Sequence, residues 1–323
     1  METKSKMMKV LAVGLLFLVV GFFSSEAYSW GFATHTYIND HLGKTKRNQN
    51  MDEIYGAVAP DAFEYLFNFP SYLSFLSDQT HTEFMKVWDV PKAGLGKSLA
   101  FGFASHNDVW GADSTAHHSG RTFGQNEGYI IAKAIMLGEI LKQVPDYAAL
   151  GLPDPVTLEI SHELLENGVD LLIKRMDPSI GQKLSSSAMF RTSDFPVLLV
   201  KAYARDFSQF AGISYHEASK LIISAEKEFR KSIALYGQAL TQDEATAIQL
   251  ISEGTADIAA GFLASNGIEL PPGVDIAPLI AFAIGQSIEL CADDFAEEIA
   301  ATIDFVNQER QSLRWFAQRQ LTD

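Results

Sequence analysis

The 323-residue chain contains a single cysteine, Cys291. An intramolecular disulfide is therefore excluded, and so is a metal site built from several thiolates. Basic residues are also scarce, since 25 Lys and Arg face 40 Asp and Glu, which gives a formal net charge of −15. No block rich in Lys or Arg is present. Because an acidic chain repels nucleic-acid phosphates, nucleic acid is a disfavoured partner.

Alternating apolar and polar runs with hairpin turns, the pattern of half-buried strands, are absent after the N-terminal segment. Apolar residues instead recur at three- and four-residue steps, for example in residues 127–144, 155–175, 215–240 and 243–265 and in the long run 278–321. Breaks fall at residues 151–155 and 266–273, where Gly and Pro mark helix ends, and Pro155 suits a first helical turn. The sequence predicts one all-α domain, a multi-helix bundle over residues 30–323.

The one long apolar run is N-terminal and is typical of a secretory signal peptide over residues 1–29. Lys4, Lys6 and Lys9 precede an apolar core at Val10–Phe23 that is short for a membrane span. Cleavage before Tyr28 and cleavage before Trp30 both satisfy the small-residue rule, and we favour Trp30 because its free amine and carbonyl could chelate a metal. The mature protein is then expected to be secreted or periplasmic, without a transmembrane segment.

The segment Phe101–Gly120 concentrates metal-ligand side chains. His106, Asp113 and His117 lie within about 40° of one another on an ideal helix, whereas Asp108 points away. Imidazole and carboxylate are the ligands that Zn²⁺ takes where thiolates are lacking. If the helix ends near Ser119, His118 replaces His117 as the ligand, so these two histidines remain alternatives.

A second pair of ligand side chains lies in the sequence SHELLENGVDLLIKR. His162 and Glu166 are four residues apart, on the same face of a predicted helix. Alone, such a pair is typical of a solvated helix surface. Seven of the eight histidines lie in the first half of the chain, however, and only His216 lies outside it. His41 and His216 match no motif and are taken as ordinary residues.

Five short motifs in order resemble the bacterial zinc-dependent phospholipase C family, and more distantly the single-strand-specific zinc nucleases of the same fold. They are WGFATH at Trp30, APDAFEY at Ala59, THTEF at Thr80, the His106 segment, and HxxxE at His162. The resemblance covers residues 30–166. It implies an all-α bundle around three zinc ions.

The resemblance also implies a ligand for each zinc ion. One ion would be held by Asp61, His81, His106 and Asp113. A neighbour would be held by the amine and carbonyl of Trp30, by His35 and by the shared Asp113. The third would be held by His117, His162 and Glu166. Asp61 is the predicted catalytic residue, as a ligand, a general base or both.

Some positions depart from the family pattern. The family places a carboxylate four residues after the helix histidine, where this chain has Trp110, and Asp113 is the better candidate. The choline-cradling residues are replaced by Ala33, Ala62 and Asp78. We therefore expect an exported zinc phosphodiesterase that cleaves a phospholipid or another phosphodiester, with transient contact to a membrane surface. The alternatives are a zinc nuclease of the same fold and a non-catalytic secreted protein that zinc stabilises.

Overall fold

The computed structural model describes residues 30–42, 51–66, 69–90, 95–265 and 275–319. Within these ranges all regular structure is helical: fifteen α-helices and one 3₁₀ helix, with no strand. The all-α prediction is confirmed. The predicted signal peptide and its cleavage sites lie outside the described residues.

The helices of the first half carry the predicted ligands. Their bounds are α1 Phe32–Leu42, α2 Met51–Val58, the 3₁₀ helix Ala59–Leu66, α3 Pro70–His81, α4 Met85–Asp89, α5 Leu95–His106, α6 Ala112–His117, α7 Tyr129–Leu141, α8 Pro145–Ala148 and α9 Asp154–Met176. The second half adds six more: α10 Ile180–Phe190, α11 Phe195–Ala211, α12 Tyr215–Leu240, α13 Glu244–Ser265, α14 Ala277–Cys291 and α15 Phe295–Arg319.

Local signals explain several helix ends. Ser214 and Glu217 form a reciprocal capping box at the start of α12. Gly212 ends α11 in the left-handed conformation, at φ 64°. Pro155 lies in the first turn of α9, as predicted. The predicted break at residues 151–155 is therefore confirmed, whereas the break at 266–273 lies outside the described residues.

Most residues of helix α1 are buried among other helices. It packs against α2, α9, α10 and α15, and it buries polar residues as well as apolar ones, among them Thr34, His35 and Asn39. A helix enclosed on all sides is usually apolar all round. The buried polar residues of α1 therefore indicate partners inside the bundle rather than solvent.

The ligand-rich segment 101–120 is not one helix, which corrects the interpretation from helical spacing. Helix α5 ends at His106, and α6 begins only at Ala112. The Asn107 side chain accepts hydrogen bonds from the amides of Val109 and Trp110, at 2.8 and 2.9 Å, and so closes a turn. A Cβ at Gly111 would collide with the His106 carbonyl. His106 and Asp113 therefore converge through a tight turn between two helices.

Candidate metal centre

Asp113 lies at the middle of the predicted ligand set and is fully buried. One carboxylate oxygen is 3.0 Å from His35 Nε2, and the other is 2.6 Å from His106 Nε2. The backbone nitrogen of Trp30 lies 3.4 Å from the first of these oxygens. Burial acts to raise the pKa of Asp113, but the neighbouring His106 and His35 outweigh it and hold the pKa well below its ordinary value.

His81 and His106 face each other beside Asp61. Their Nε2 atoms are 3.0 Å apart, and each lies 3.3 Å from the same oxygen of Asp61. The Nδ1 of His81 is 2.8 Å from the Ser77 carbonyl, and the Nδ1 of His106 is 2.8 Å from the Ala57 carbonyl. Since carbonyls only accept, each Nδ1 carries the proton and donates.

This tautomer directs lone pairs into the site. In neutral imidazoles with Nδ1 protonated, both Nε2 atoms are acceptors, and here they face one another and two carboxylates. Such a set of acceptors is stable only with protons or a cation between them. Imidazole nitrogen and carboxylate oxygen suit a divalent transition-metal ion. The buried His and Asp groups can therefore hold metal ions.

The histidines and the carboxylates of the site shift one another's pKa values. Burial lowers the pKa of His106, but Asp113 and Asp61 outweigh burial and raise the pKa well above its ordinary value. Burial likewise acts to raise the pKa of Asp61, yet His106 and His81 lower it to about 2. Each charge is thus stabilised by the opposite charge beside it.

The remaining predicted ligands lie nearby, on α6 and α9. The rings of His117 and His162 are 5.7 Å apart, and His162 Nδ1 is 3.1 Å from a Glu166 oxygen. His162 is buried, and its pKa is held well below the ordinary value by burial and by His117. His117 is buried, whereas the His118 side chain is 52% exposed. Of these two alternatives, His117 is therefore the one that faces the site.

Asp108 does not point away, and this prediction was wrong. His117 Nδ1 donates to an Asp108 oxygen at 2.8 Å, and the Asp108 amide donates to the His81 carbonyl at 3.2 Å. The turn after α5 reverses the chain, so ideal helical angles do not apply to Asp108. A carboxylate on the outer nitrogen of a metal-binding histidine fixes its orientation and tautomer. Asp108 therefore orients His117.

An acidic cleft adjoins the site. It is lined by Gly31, Phe32, Asp61, Glu64, Glu163, Glu166, Asn167, Asp170 and Tyr236. Glu163 borders this cleft, and desolvation of its carboxyl together with the negative Asp61 raises its pKa to about 7. Ligand atoms of His162, Glu163 and Glu166 lie within 4.8 Å of one another. Both features make Glu163 a candidate functional residue that the sequence interpretation missed.

Glu64 was missed as well. Burial, Asp61 and Glu163 raise its pKa well above the ordinary value. The signal for Glu64 was its spacing from Asp61, because residues three apart share one edge of a 3₁₀ helix. The signal for Glu163 was its position next to His162. Neither signal identifies a functional residue from the sequence alone, because the sequence does not show which face of each helix borders the cleft.

The histidines set aside in the sequence lie apart from this centre. His41 Nδ1 pairs with the Tyr37 carbonyl at 2.8 Å, and His216 is exposed. Within the described ranges, no helix combines the length and apolar character needed to cross a bilayer.

Comparisons with known proteins add no assignment. A scan against protein-family models, a search of the curated proteins and a search of the solved structures each found no match. A functional assignment therefore depends on the residues of the site itself.

Proposed function

We propose that this protein is an exported zinc-dependent phosphodiester hydrolase whose motifs resemble those of the phospholipase C family. The observation that carries the proposal is the convergence of His81, His106 and Asp61 on one point, with both Nδ1 atoms bonded to carbonyls. A satisfied structural histidine needs no such arrangement. Two inward lone pairs facing carboxylates favour a cation site.

Three zinc ions are proposed, with the ligands divided as the family resemblance implies. The buried pair of sites shares Asp113, whose two oxygens face different histidines, so this carboxylate is suited to bridge two ions. The third site combines His117 and His162 with Glu166, and Glu163 is close enough to join it. When bound, such ions lower the pKa of a coordinated water and neutralise charge on a phosphoryl group.

The protein side chains supply the rest of the chemistry. Asp61 is 2% exposed and stays ionised, because the imidazoles beside it lower its pKa to about 2. As a carboxylate it can accept a proton as a general base or serve as a ligand. His81 and His106 are held by carbonyls, so they bind with little reorganisation.

The N-terminus is part of the proposed site. The Trp30 nitrogen is 3.4 Å from Asp113, and the Trp30 side chain is fully buried. Signal cleavage before Trp30 would turn this peptide nitrogen into a free amine, which is a metal ligand when unprotonated. Because signal cleavage accompanies export, we propose residues 30–323 as the mature domain and a secreted or periplasmic location for it.

Phospholipid is favoured over nucleic acid as substrate. The chain carries a formal charge of −15, and the cleft beside the site is lined by five Asp and Glu residues, of which Asp61 stays ionised. A polyanion is repelled along its whole length by such a surface, whereas a lipid headgroup presents only one phosphodiester. Transient contact with a membrane surface follows from a lipid substrate.

The test is metal analysis of the mature protein together with three substrates: a chromogenic phosphodiester, phosphatidylcholine vesicles and single-stranded DNA. We expect zinc, hydrolysis of the chromogenic ester and release of diacylglycerol, with all activity lost in Asp113→Asn. Cleavage of DNA without lipid hydrolysis would instead assign a nuclease. Zinc without any hydrolysis would indicate a structural role for the metal and would contradict the enzymatic proposal.

A further inference from the structure

The Asp170 side chain is fully buried against the first turn of α1. Its carboxylate accepts hydrogen bonds from the amides of Ala33 and Thr34, at 2.9 and 2.8 Å, and from the Thr34 hydroxyl at 2.7 Å. The Tyr236 hydroxyl donates to it at 3.0 Å. One carboxylate thus occupies the helix N-terminus, where amides lack intrahelical partners.

Helix α1 offers no local substitute for this carboxylate. Its first turn holds no acidic residue, and Gly31, which precedes it, has no side chain that could cap the amides. A Cβ at Gly31 would lie only 2.6 Å from the Asp170 carboxyl. The glycine is therefore the residue that lets Asp170 reach the helix end. A carboxylate there is also favoured by the helix dipole.

The segment that Asp170 holds bears two predicted ligands, Trp30 just before α1 and His35 in its first turns. Trp30 itself contacts α6 and α7. Its indole nitrogen donates to the Ala112 carbonyl at 3.0 Å, and its ring stacks on Tyr129 at 5.4 Å. Chain ends are poorly ordered unless they are tied down. The hydrogen bonds of Asp170 attach this segment to α9.

Asp170 also sets the distance between two parts of the site. It lies one turn after Glu166 on α9, the helix that carries His162. Its bonds therefore connect the backbone of α1 directly to the helix that bears the third ligand group. Because Asp170 and Glu166 are one turn apart on the same helix, the start of α1 can move little relative to the third ligand group.

We propose that Asp170 is a positioning residue that fixes the segment Trp30–His35 for metal binding. The role rests on the proposed zinc function, because only then do Trp30 and His35 act as ligands. Asp170 itself is not a ligand in this scheme. Its oxygens accept hydrogen bonds from two α1 amides and from the hydroxyls of Thr34 and Tyr236, and it acts through the position of the backbone.

The experiment compares the mature protein with Asp170→Ala, Asp170→Asn and Thr34→Val. Asn keeps the shape but replaces one acceptor oxygen by a donor, and Val removes only the hydroxyl bond. The matched control is Glu298→Gln, because Glu298 is also fully buried and accepts from the amides of Arg121 and Thr122, at 2.6 Å each. Zinc per folded molecule and amide hydrogen exchange over residues 31–36 are measured.

We expect Asp170→Ala to bind one zinc ion fewer than the wild type and to exchange its residue 31–36 amides faster, with and without metal. Asp170→Asn should recover part of both losses, and Thr34→Val should lose least. Glu298→Gln should keep the wild-type zinc content. Full zinc content and unchanged exchange in folded Asp170→Ala or Asp170→Asn would overturn the positioning role. A wild type that binds no zinc would instead overturn the proposed function, and this role with it.

Discussion

Gly102→Ala is predicted to weaken the metal centre by forcing the helix that carries His106 away from α2. Gly102 lies one turn before His106 on α5, where α5 crosses α2. A Cβ at this position would fall 2.8 Å from the Ala57 backbone nitrogen and still closer to the Glu53 carbonyl. The neighbours are backbone atoms of α2, so no side chain can move aside.

The magnitude follows from these contacts. Ordinary contact with a methyl carbon needs about 3.5 Å, so α2 and α5 must part by at least roughly 1 Å. The hydrogen bond from His106 Nδ1 to the Ala57 carbonyl is 2.8 Å long. A shift of roughly 1 Å would take it past the limit of about 3.2 Å for such bonds. His106 would then lose the partner that fixes its tautomer.

Stability should fall together with metal binding. Overpacking costs about 1–3 kcal/mol, and loss of a buried hydrogen bond about 1 kcal/mol more. At about 2–4 °C per kcal/mol for a domain of this size, the melting temperature should drop by roughly 5–15 °C. Zinc content, measured on the folded fraction, should fall as well.

Gly285→Ala is the matched control. Gly285 lies inside α14, and a Cβ there meets nothing within 4 Å. Replacing a helical glycine with alanine at such a position should stabilise by about 0.5–1 kcal/mol. The two variants are compared by thermal unfolding and metal analysis. Equal melting temperatures and equal zinc contents for Gly102→Ala and the wild type would refute the packing argument.

Four further predictions address the site. Asp108→Asn should lower zinc affinity by about 10–100-fold, as loss of a histidine's outer partner does; unchanged affinity in a zinc titration would contradict the orienting role. One extra residue before Trp30 should sharply reduce activity and zinc content, because Trp30 then has no free amine. If N-terminal sequencing finds Tyr28 as the first residue of the mature protein, the proposal that the Trp30 amine is a ligand is wrong. Metal-free protein should lose stability above about pH 7. Burial lowers the pKa of His106, but Asp113 and Asp61 outweigh burial and raise the pKa overall. The ion pairs of protonated His106 with these carboxylates therefore stabilise the fold fully below about pH 6.5, and this stabilisation is lost as the pH rises through the folded-state pKa. Metal-loaded protein should show the opposite slope, because protons displace zinc at low pH, and thermal unfolding with and without a strong chelator across pH compares the two. Glu64→Gln should speed hydrolysis of anionic phospholipids relative to phosphatidylcholine only at alkaline pH, since burial and Asp61 raise the pKa of Glu64 and the variant removes a negative charge from the cleft only where that carboxyl is ionised; an unchanged ratio at alkaline pH would exclude Glu64 from substrate selection.

Helical periodicity was sufficient to predict the fold class. Every long periodic segment tested by the structure is helical, because apolar steps of three and four residues reflect packing on one face. The run 278–321 nevertheless contains two helices, which meet between Cys291 and Phe295. Periodicity alone does not reveal such a junction, since both helices bury apolar residues in similar phase.

The site shows where local reasoning fails. Helical spacing predicts Asp113 as a ligand from its phase with His106 on one helix, but the two residues come together through the turn at Asn107. That turn depends on side-chain bonds to two following amides, which compete with helix continuation. The same turn brings Asp108 to His117. Short-range spacing therefore pointed to the residues without giving the geometry.

Long-range partners were beyond sequence reasoning altogether. Asp170 lies 136 residues from Thr34 along the chain, and no local pattern connects a carboxylate on α9 with the start of α1. Glu64 and Glu163 became candidates only because the fold places both on the same cleft. Such pairings are set by tertiary packing, which a single sequence does not encode in any short window.

The central claim is that the buried cluster around Asp113 and His106 binds metal ions. The most direct measurement is the metal content of the folded protein beginning at Trp30, by elemental analysis together with native mass spectrometry, beside Asp113→Asn. We predict three zinc ions per molecule in the wild type and a clear loss in the variant. A folded wild type that remains free of metal after exposure to excess zinc would contradict the claim.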